Sequence, residues 1–209
     1  MIGRIIHGAE DLAEGAAWLE AHELRFAPAL ALGPLPLRRW PEGFAALLDA
    51  ILGQQVSVAS AAAIRARMQA AGLWDEAAVA AVSEDDLRAV GLSRQKARYA
   101  SALARAQLDY DALRGGPDTQ VVARLIALPG IGNWTAEIYA MFSLGRADVF
   151  APGDLALQEA ARVLFALDAR PNERALRAMA ADWSPWRSVA ARALWAYYRV
   201  LKDREGVTG

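Results

Sequence analysis

Apolar residues return every three or four positions along most of this sequence, the spacing of helices that bury one face. Leu12, Ala16 and Leu19 share a face, which predicts a helix over 10–20. A short helical segment follows over 26–36, closed by its prolines. Pro41 is placed for the first turn of a helix over 44–52. An alanine-rich helix is predicted over 57–71, ended by Gly72. Ser83, with Glu84, Asp85 and Asp86 behind it, caps another short helix and suits its dipole. A helix over 94–108 comes next, and Gly115-Gly116-Pro117 breaks the pattern. Asp118 or Thr119 then caps a helix running through 121–127. Apolar faces recur over 135–144 and 155–167, over 173–180 after Pro171, and from Ser188 to about Lys202. Alternation of period two never lasts a useful length, so the chain reads as all-α. No apolar run reaches the roughly eighteen residues of a membrane span.

Two breaks in this pattern carry candidate chemistry. Leu128-Pro129-Gly130-Ile131-Gly132-Asn133-Trp134-Thr135-Ala136 sits between two helical runs. Proline stops the first and glycine permits a positive φ, so a tight turn is expected. An ordinary helix–turn–helix corner accounts for this. So does a phosphate site made of the Gly130 and Gly132 amides at a helix start. The second break is Gly53-Gln54-Gln55-Val56-Ser57. Its glutamines either bond backbone at a helix junction or enter a nucleic acid. A third stretch, Val149-Phe150-Ala151-Pro152-Gly153-Asp154, follows the first by about twenty residues and places Asp154 before an apolar helix. Asp154 there is an N-cap, a catalytic carboxylate, or both, since a capping aspartate is held rigidly at a helix start.

Composition narrows the chemistry. The 209 residues include no cysteine, which excludes disulfides, thiolate metal sites, cysteine nucleophiles and iron–sulfur clusters. His7 and His22 are the only histidines, too few for a histidine-rich metal site. A net charge of −1 shows no overall basic footprint for nucleic acid. Almost all the positive charge is arginine; Lys96 and Lys202 are the only lysines. Arg94, Lys96 and Arg98 cluster at one helix start, either as a solvated face or as a phosphate contact. No charged-then-apolar leader opens the sequence. The chain is expected to be soluble and cytoplasmic.

The string Φ-P-G-Φ-G-x-x-T-A around Gly130, with Asp154 beyond it and Ile-Leu-Gly-Gln-Gln-Val-Ser before it, resembles the helix-hairpin-helix superfamily of DNA repair glycosylases. Within it the chain is similar to alkylpurine glycosylases of the 3-methyladenine DNA glycosylase II type. The resemblance implies two helical lobes with the active site in the cleft between them. The central lobe spans 42–148; residues 1–41 and 149–209 form the second. It implies Asp154 as catalytic carboxylate, Trp134 and Trp195 as aromatic walls of a base pocket, and Ile138 where relatives have a pocket tyrosine. Gln54, Gln55, Ser57, Gly130, Ile131, Gly132, Thr135 and Lys96 would contact DNA. Gln55 stands where alkylpurine glycosylases carry a leucine wedge. Trp134 stands where strand-nicking members carry a lysine, so the chain would leave the abasic site intact. Main-chain carbonyls of Ile126, Leu128 and Ile131 match positions that hold a sodium or potassium ion, and no other cofactor is implied. The expected partner is damaged double-stranded DNA, met by a monomer associated with the nucleoid of a bacterial cytoplasm. The expected reaction is hydrolysis of the N-glycosidic bond of alkylated purines after base flipping. The same fold acting on deaminated bases, or as a non-catalytic damage-binding module, is the alternative. Trp183 and Trp186 read as core.

Overall fold

The computed structural model describes the backbone of residues 3–207 and the side chains of residues 3–203. Met1 and Ile2, part of an expected extended lead-in, lie outside the described residues. The described chain is helical, with one isolated antiparallel bridge, Ile5 to Arg146. It divides into two units: residues 40–139 form one, and residues 1–39 with 140–209 form the other.

The contiguous unit contains α3 (Phe44–Gly53), α4 (Val58–Ala70), α5 (Glu76–Ala81), α6 (Glu84–Ala89), α7 (Arg94–Arg105), α8 (Tyr110–Gly115), α9 (Asp118–Ile126) and α10 (Asn133–Ile138). Side-chain caps start most of them. Ser57, Asp75, Ser83, Ser93 and Asp109 each accept a first-turn amide, replacing a partner the helix cannot supply. α7 is the hub: it packs on α3, α5 and α6. It buries Ala97, Ala100, Leu103 and Ala104, and α3 buries Leu47, Leu48, Ile51 and Leu52.

The second unit contains α1 (Ala9–His22), α2 (Ala27–Leu30), α11 (Leu155–Leu164), α12 (Glu173–Met179) and α13 (Arg187–Val207). α13 is its spine and packs on α1, α2 and α11. Gly15 of α1 lets α13's neighbourhood approach closely, since a Cβ there would come within 2.7 Å of Trp186 and Val189. Trp183 is buried against Phe26, Phe150 and Phe165, with ring centroids 5.2 to 5.7 Å apart. Trp186 is buried as well. The two stretches of this unit are joined where the Ile6 amide donates to Gly145 and the Ala147 amide to Arg4.

Several expected boundaries move. α3 begins at Phe44 with Gly43 as its cap at φ +90, so Pro41 precedes the helix rather than opening it. Pro117, not Asp118 or Thr119, holds the N-cap place of α9. α7 stops at Arg105 and α11 at Leu164, because Gln107 and Ala166 turn to positive φ. The run expected over 135–144 is α10 followed by a π-type segment, Tyr139–Ser143. α5 occupies a stretch where the apolar pattern shows no element.

Candidate active site and nucleic-acid interface

In the contiguous unit, α9 and α10 enclose the Leu128–Gly132 turn. Leu125 is fully buried and fixes the end of α9. The Leu128 amide donates to Leu125 and the Ile131 amide to Leu128, both at 3.1 Å. Gly130 has φ +89. A Cβ added there would run into the Tyr99 ring, so glycine is required for both conformation and space. Ile131 is buried and pins the turn, while Gly132 caps α10 and is exposed. Trp134, in the first turn of α10, is 47% exposed, unusual for so large an apolar side chain. Thr135 and Ile138 are buried.

The two glutamines of the second break separate. Gln54 follows α3, and its Nε2 donates to the Gly130 carbonyl at 2.8 Å. It is the backbone-bound glutamine of a junction. Gln55 is exposed at φ +55, a conformation costing a side-chain-bearing residue about 1 kcal/mol. Ser57 is exposed and its hydroxyl accepts the Ser60 amide at 3.1 Å. Gln54, Gln55, Gly130, Gly132, Trp134 and Thr135 surround one concavity of about 700 Å³, completed by Gln95 and Tyr99 of α7.

Lys96 departs from the expectation of a solvated face. Its side chain is buried, and Nζ donates to the Leu52 carbonyl at 2.6 Å. Burial pushes its ammonium below the ordinary lysine value. The signal was in the spacing: Lys96 shares the stripe of Ala100 and Leu103.

In the other unit, Asp154 caps α11. Its Oδ1 accepts the Ala156 amide at 2.9 Å and the Leu157 amide at 3.1 Å. The Trp195 indole Nε1–H donates to the same oxygen at 3.3 Å. The loop before it is braced as well. The Asp154 amide donates to Ala151 at 3.0 Å, and the buried Gln158 side chain donates from Nε2 to the Pro152 carbonyl at 2.8 Å. The Trp195 ring lies 5.6 Å from that of Phe142. Phe142 in turn carries the Arg192 guanidinium over its ring at 4.7 Å. Arg192 is buried and, among the described residues, has no carboxylate partner; it donates instead to Ser188 and Leu37. Burial first, then Arg38 and Arg39, brings its pKa down to about 10. Gln158 and Arg192 are site-supporting residues that sequence reasoning did not single out. Gln158 was findable as a polar residue on the buried face with Leu157 and Ala161.

Among the described residues no group of three or more His, Cys, Asp or Glu side chains is placed to hold a metal ion. The Leu128 carbonyl already accepts the Ile131 amide, which leaves it one lone pair for another contact. No helix among the described residues is long and apolar enough to cross a membrane.

Residues 48–185 match the family described as HhH-GPD superfamily base excision DNA repair protein. Curated relatives from Bacillus subtilis and Escherichia coli are 30% and 32% identical over 162 residues. The second is named DNA-3-methyladenine glycosylase 2. Those matches cover 71% and 70% of this chain but 56% and 54% of the relatives, so the chain spans about half their length. A crystal structure of a DNA-3-methyladenine glycosidase from Bacillus halodurans superposes with a TM-score of 0.82 at 30% identity, over 90% of this chain and 91% of that one. A Schizosaccharomyces pombe 3-methyladenine DNA glycosylase in complex with abasic DNA shares the fold, with a TM-score of 0.68 at 24% identity over 88% and 95% of the two chains. The helical hairpin, the capping aspartate and these likenesses together place the chain in the HhH-GPD superfamily of base excision DNA repair proteins.

Proposed function

We propose that this chain is a monofunctional DNA glycosylase that hydrolyses the N-glycosidic bond of alkylated purines, of the 3-methyladenine and 7-methylguanine type, in duplex DNA. The observation that carries the reading is the fixed carboxylate of Asp154, held on one oxygen by two helix amides and the Trp195 indole.

The bond is out of reach inside a duplex, so the damaged nucleotide leaves the stack first. Gln55, exposed on its strained loop tip, is the side chain to enter the gap. The backbone of Gly130 and Gly132 faces the phosphate. As the bond to C1′ stretches, its electron pair goes to the purine and neutralises the ring's positive charge. Positive charge builds on the sugar, and the Asp154 carboxylate stabilises it. Water then adds to C1′, its proton passing to Asp154 or to solvent, and an abasic site remains. Trp134 and Trp195 are each an aromatic face that favours cationic purines by stacking and cation–π attraction, about 1–2 kcal/mol per contact when desolvated. Ile138, where relatives have a pocket tyrosine, offers an apolar side chain instead. Trp134 lacks an amine, so it forms no Schiff base and the strand is not cut.

The main-chain carbonyls of Ile126, at the end of α9, and of Leu128 and Ile131 in the turn are hard oxygen donors that would hold a sodium or potassium ion. Bound there, it would supply positive charge for a phosphate. The amides and side chains described above supply the rest.

The test is release of methylated purine from alkylated duplex DNA, with products read before and after alkali. Wild type should release base and leave strands that break only after alkali. Asp154→Asn should lose about a hundredfold or more of the rate, the scale of removing a preorganised charge-stabilising group. Undiminished release in the variant would sink the assignment. Strand cutting without alkali would overturn the monofunctional reading.

A further inference from the structure

α7 ties together two segments that are distant in sequence. At its first turn, Lys96 donates to the carbonyl of Leu52, the penultimate residue of α3. Two residues beyond Leu52, Gln54 donates to the carbonyl of Gly130. The Tyr99 ring fills the space where Gly130 lacks a side chain, and the Tyr99 hydroxyl accepts from Gln95 Nε2 at 2.6 Å. Tyr99 lies three residues from Lys96 on the same helix, which closes a ring: Lys96, Leu52, Gln54, Gly130, Tyr99. Gln55 leaves this ring at φ +55.

The identity of Lys96 is telling. A methionine would fill the same volume with no ammonium to desolvate, and burying an ammonium against packing alone is unfavourable. The lysine instead fixes the direction of a carbonyl at the C-terminal end of α3, where a cation also suits the helix dipole. That carbonyl sets where the chain exits α3, and so where Gln55 stands relative to the 130–132 turn.

We propose that Lys96 and Tyr99 are positioning residues that fix the spacing between the Gln55 tip and the Gly130–Gly132 turn, so that gap entry and phosphate grip act on a duplex as one rigid device. This rests on the glycosylase reading and specifies how its DNA-contacting side works. A rigid device matters only where a base must be extracted from a stack. An already unstacked base needs little of it.

The experiment compares Lys96→Met with wild type on one methylated oligonucleotide, presented as duplex and as single strand, in single-turnover release. The expected result is a loss of roughly tenfold or more on the duplex, and less than about twofold on the single strand. Gln55→Ala added to Lys96→Met should cost little further on the duplex, because both act on one step. Equal loss on both substrates would mean a merely structural role and would overturn the proposal, as would no loss on the duplex. Should Lys96→Met fail to fold, Tyr99→Leu carries the same expectation. If wild type releases no base from either substrate, the glycosylase reading falls by itself. The coupling is then read from 2-aminopurine fluorescence in a bound duplex. A rise on binding wild type that is absent with Lys96→Met supports the device, and an equal rise with both proteins overturns it.

Discussion

Asp154 and Trp195 show how one side chain serves two ends. The indole offers an aromatic face and, through Nε1, a hydrogen bond to the Asp154 oxygen that α11 already holds. Trp195→Phe separates these functions, keeping a ring and deleting the donor. A hydrogen bond to a carboxylate, at the weak end of its range for a 3.3 Å contact, is worth about 1.5 kcal/mol, roughly a tenfold change in rate. The expected outcome in steady-state base release is therefore a kcat about tenfold lower with KM nearly unchanged. A raised KM at constant kcat would assign Trp195 to base binding alone. Gln54 and Gln55 make the opposite point. Adjacent and chemically identical, they part because the Gly130 carbonyl claims one and a left-handed backbone exposes the other.

Helix ends carry much of the chain's electrostatics. Asp86 closes a capping box with Ser83, accepting both its hydroxyl and its amide. These bonds, the hydroxyl's foremost, hold the Asp86 carboxyl below its ordinary value of 3.8. A folded value below the unfolded one means that the carboxylate's contribution is present above about pH 4 and fades as pH falls through the lower folded value. Urea unfolding of Asp86→Asn should thus show a deficit against wild type near neutrality that shrinks towards about pH 2. A deficit independent of pH would mean that the charge does not hold this cap. The caps at Ser83 and Asp154 were legible in the sequence, since each is a small polar residue placed at the start of an amphipathic run, whereas Ser57, counted into its helix, is the cap before it. The hairpin was legible for a related reason: Pro129 and Gly130 permit few other conformations. Pro117 was not, because nothing in the local residues tells a proline cap from the aspartate or threonine beside it. α5 escaped because its six residues, mostly alanine, are too short and too uniform to show a period. Lys96 was misplaced because a charge predicts solvent unless the stripe it interrupts is weighed. The Trp195–Asp154 bond joins residues far apart in sequence, and no spacing rule reaches it.

At the scale of the whole chain, one unit is a continuous stretch, residues 40–139, and the other is assembled from residues 1–39 and 140–209. In the latter, α13 packs against α1 and α2, so its first helices find their partner only in the last. During synthesis the chain emerges from its N-terminus at roughly 5–20 residues per second. Residues 40–139 have the main partners of α3 to α10 as soon as Tyr139 has left the ribosome, whereas α1 and α2 wait with apolar faces such as Leu12 and Leu19 uncovered. A fragment of residues 40–139 should therefore give a helical circular dichroism spectrum and one cooperative urea transition. A fragment of residues 1–39 should give neither; a cooperative transition in it would contradict this order. The contacts that connect the first and last helices thus become a clock: the carboxylate-bearing unit is finished last, and a nascent chain stalled before α13 has a folded hairpin and no completed frame for Asp154.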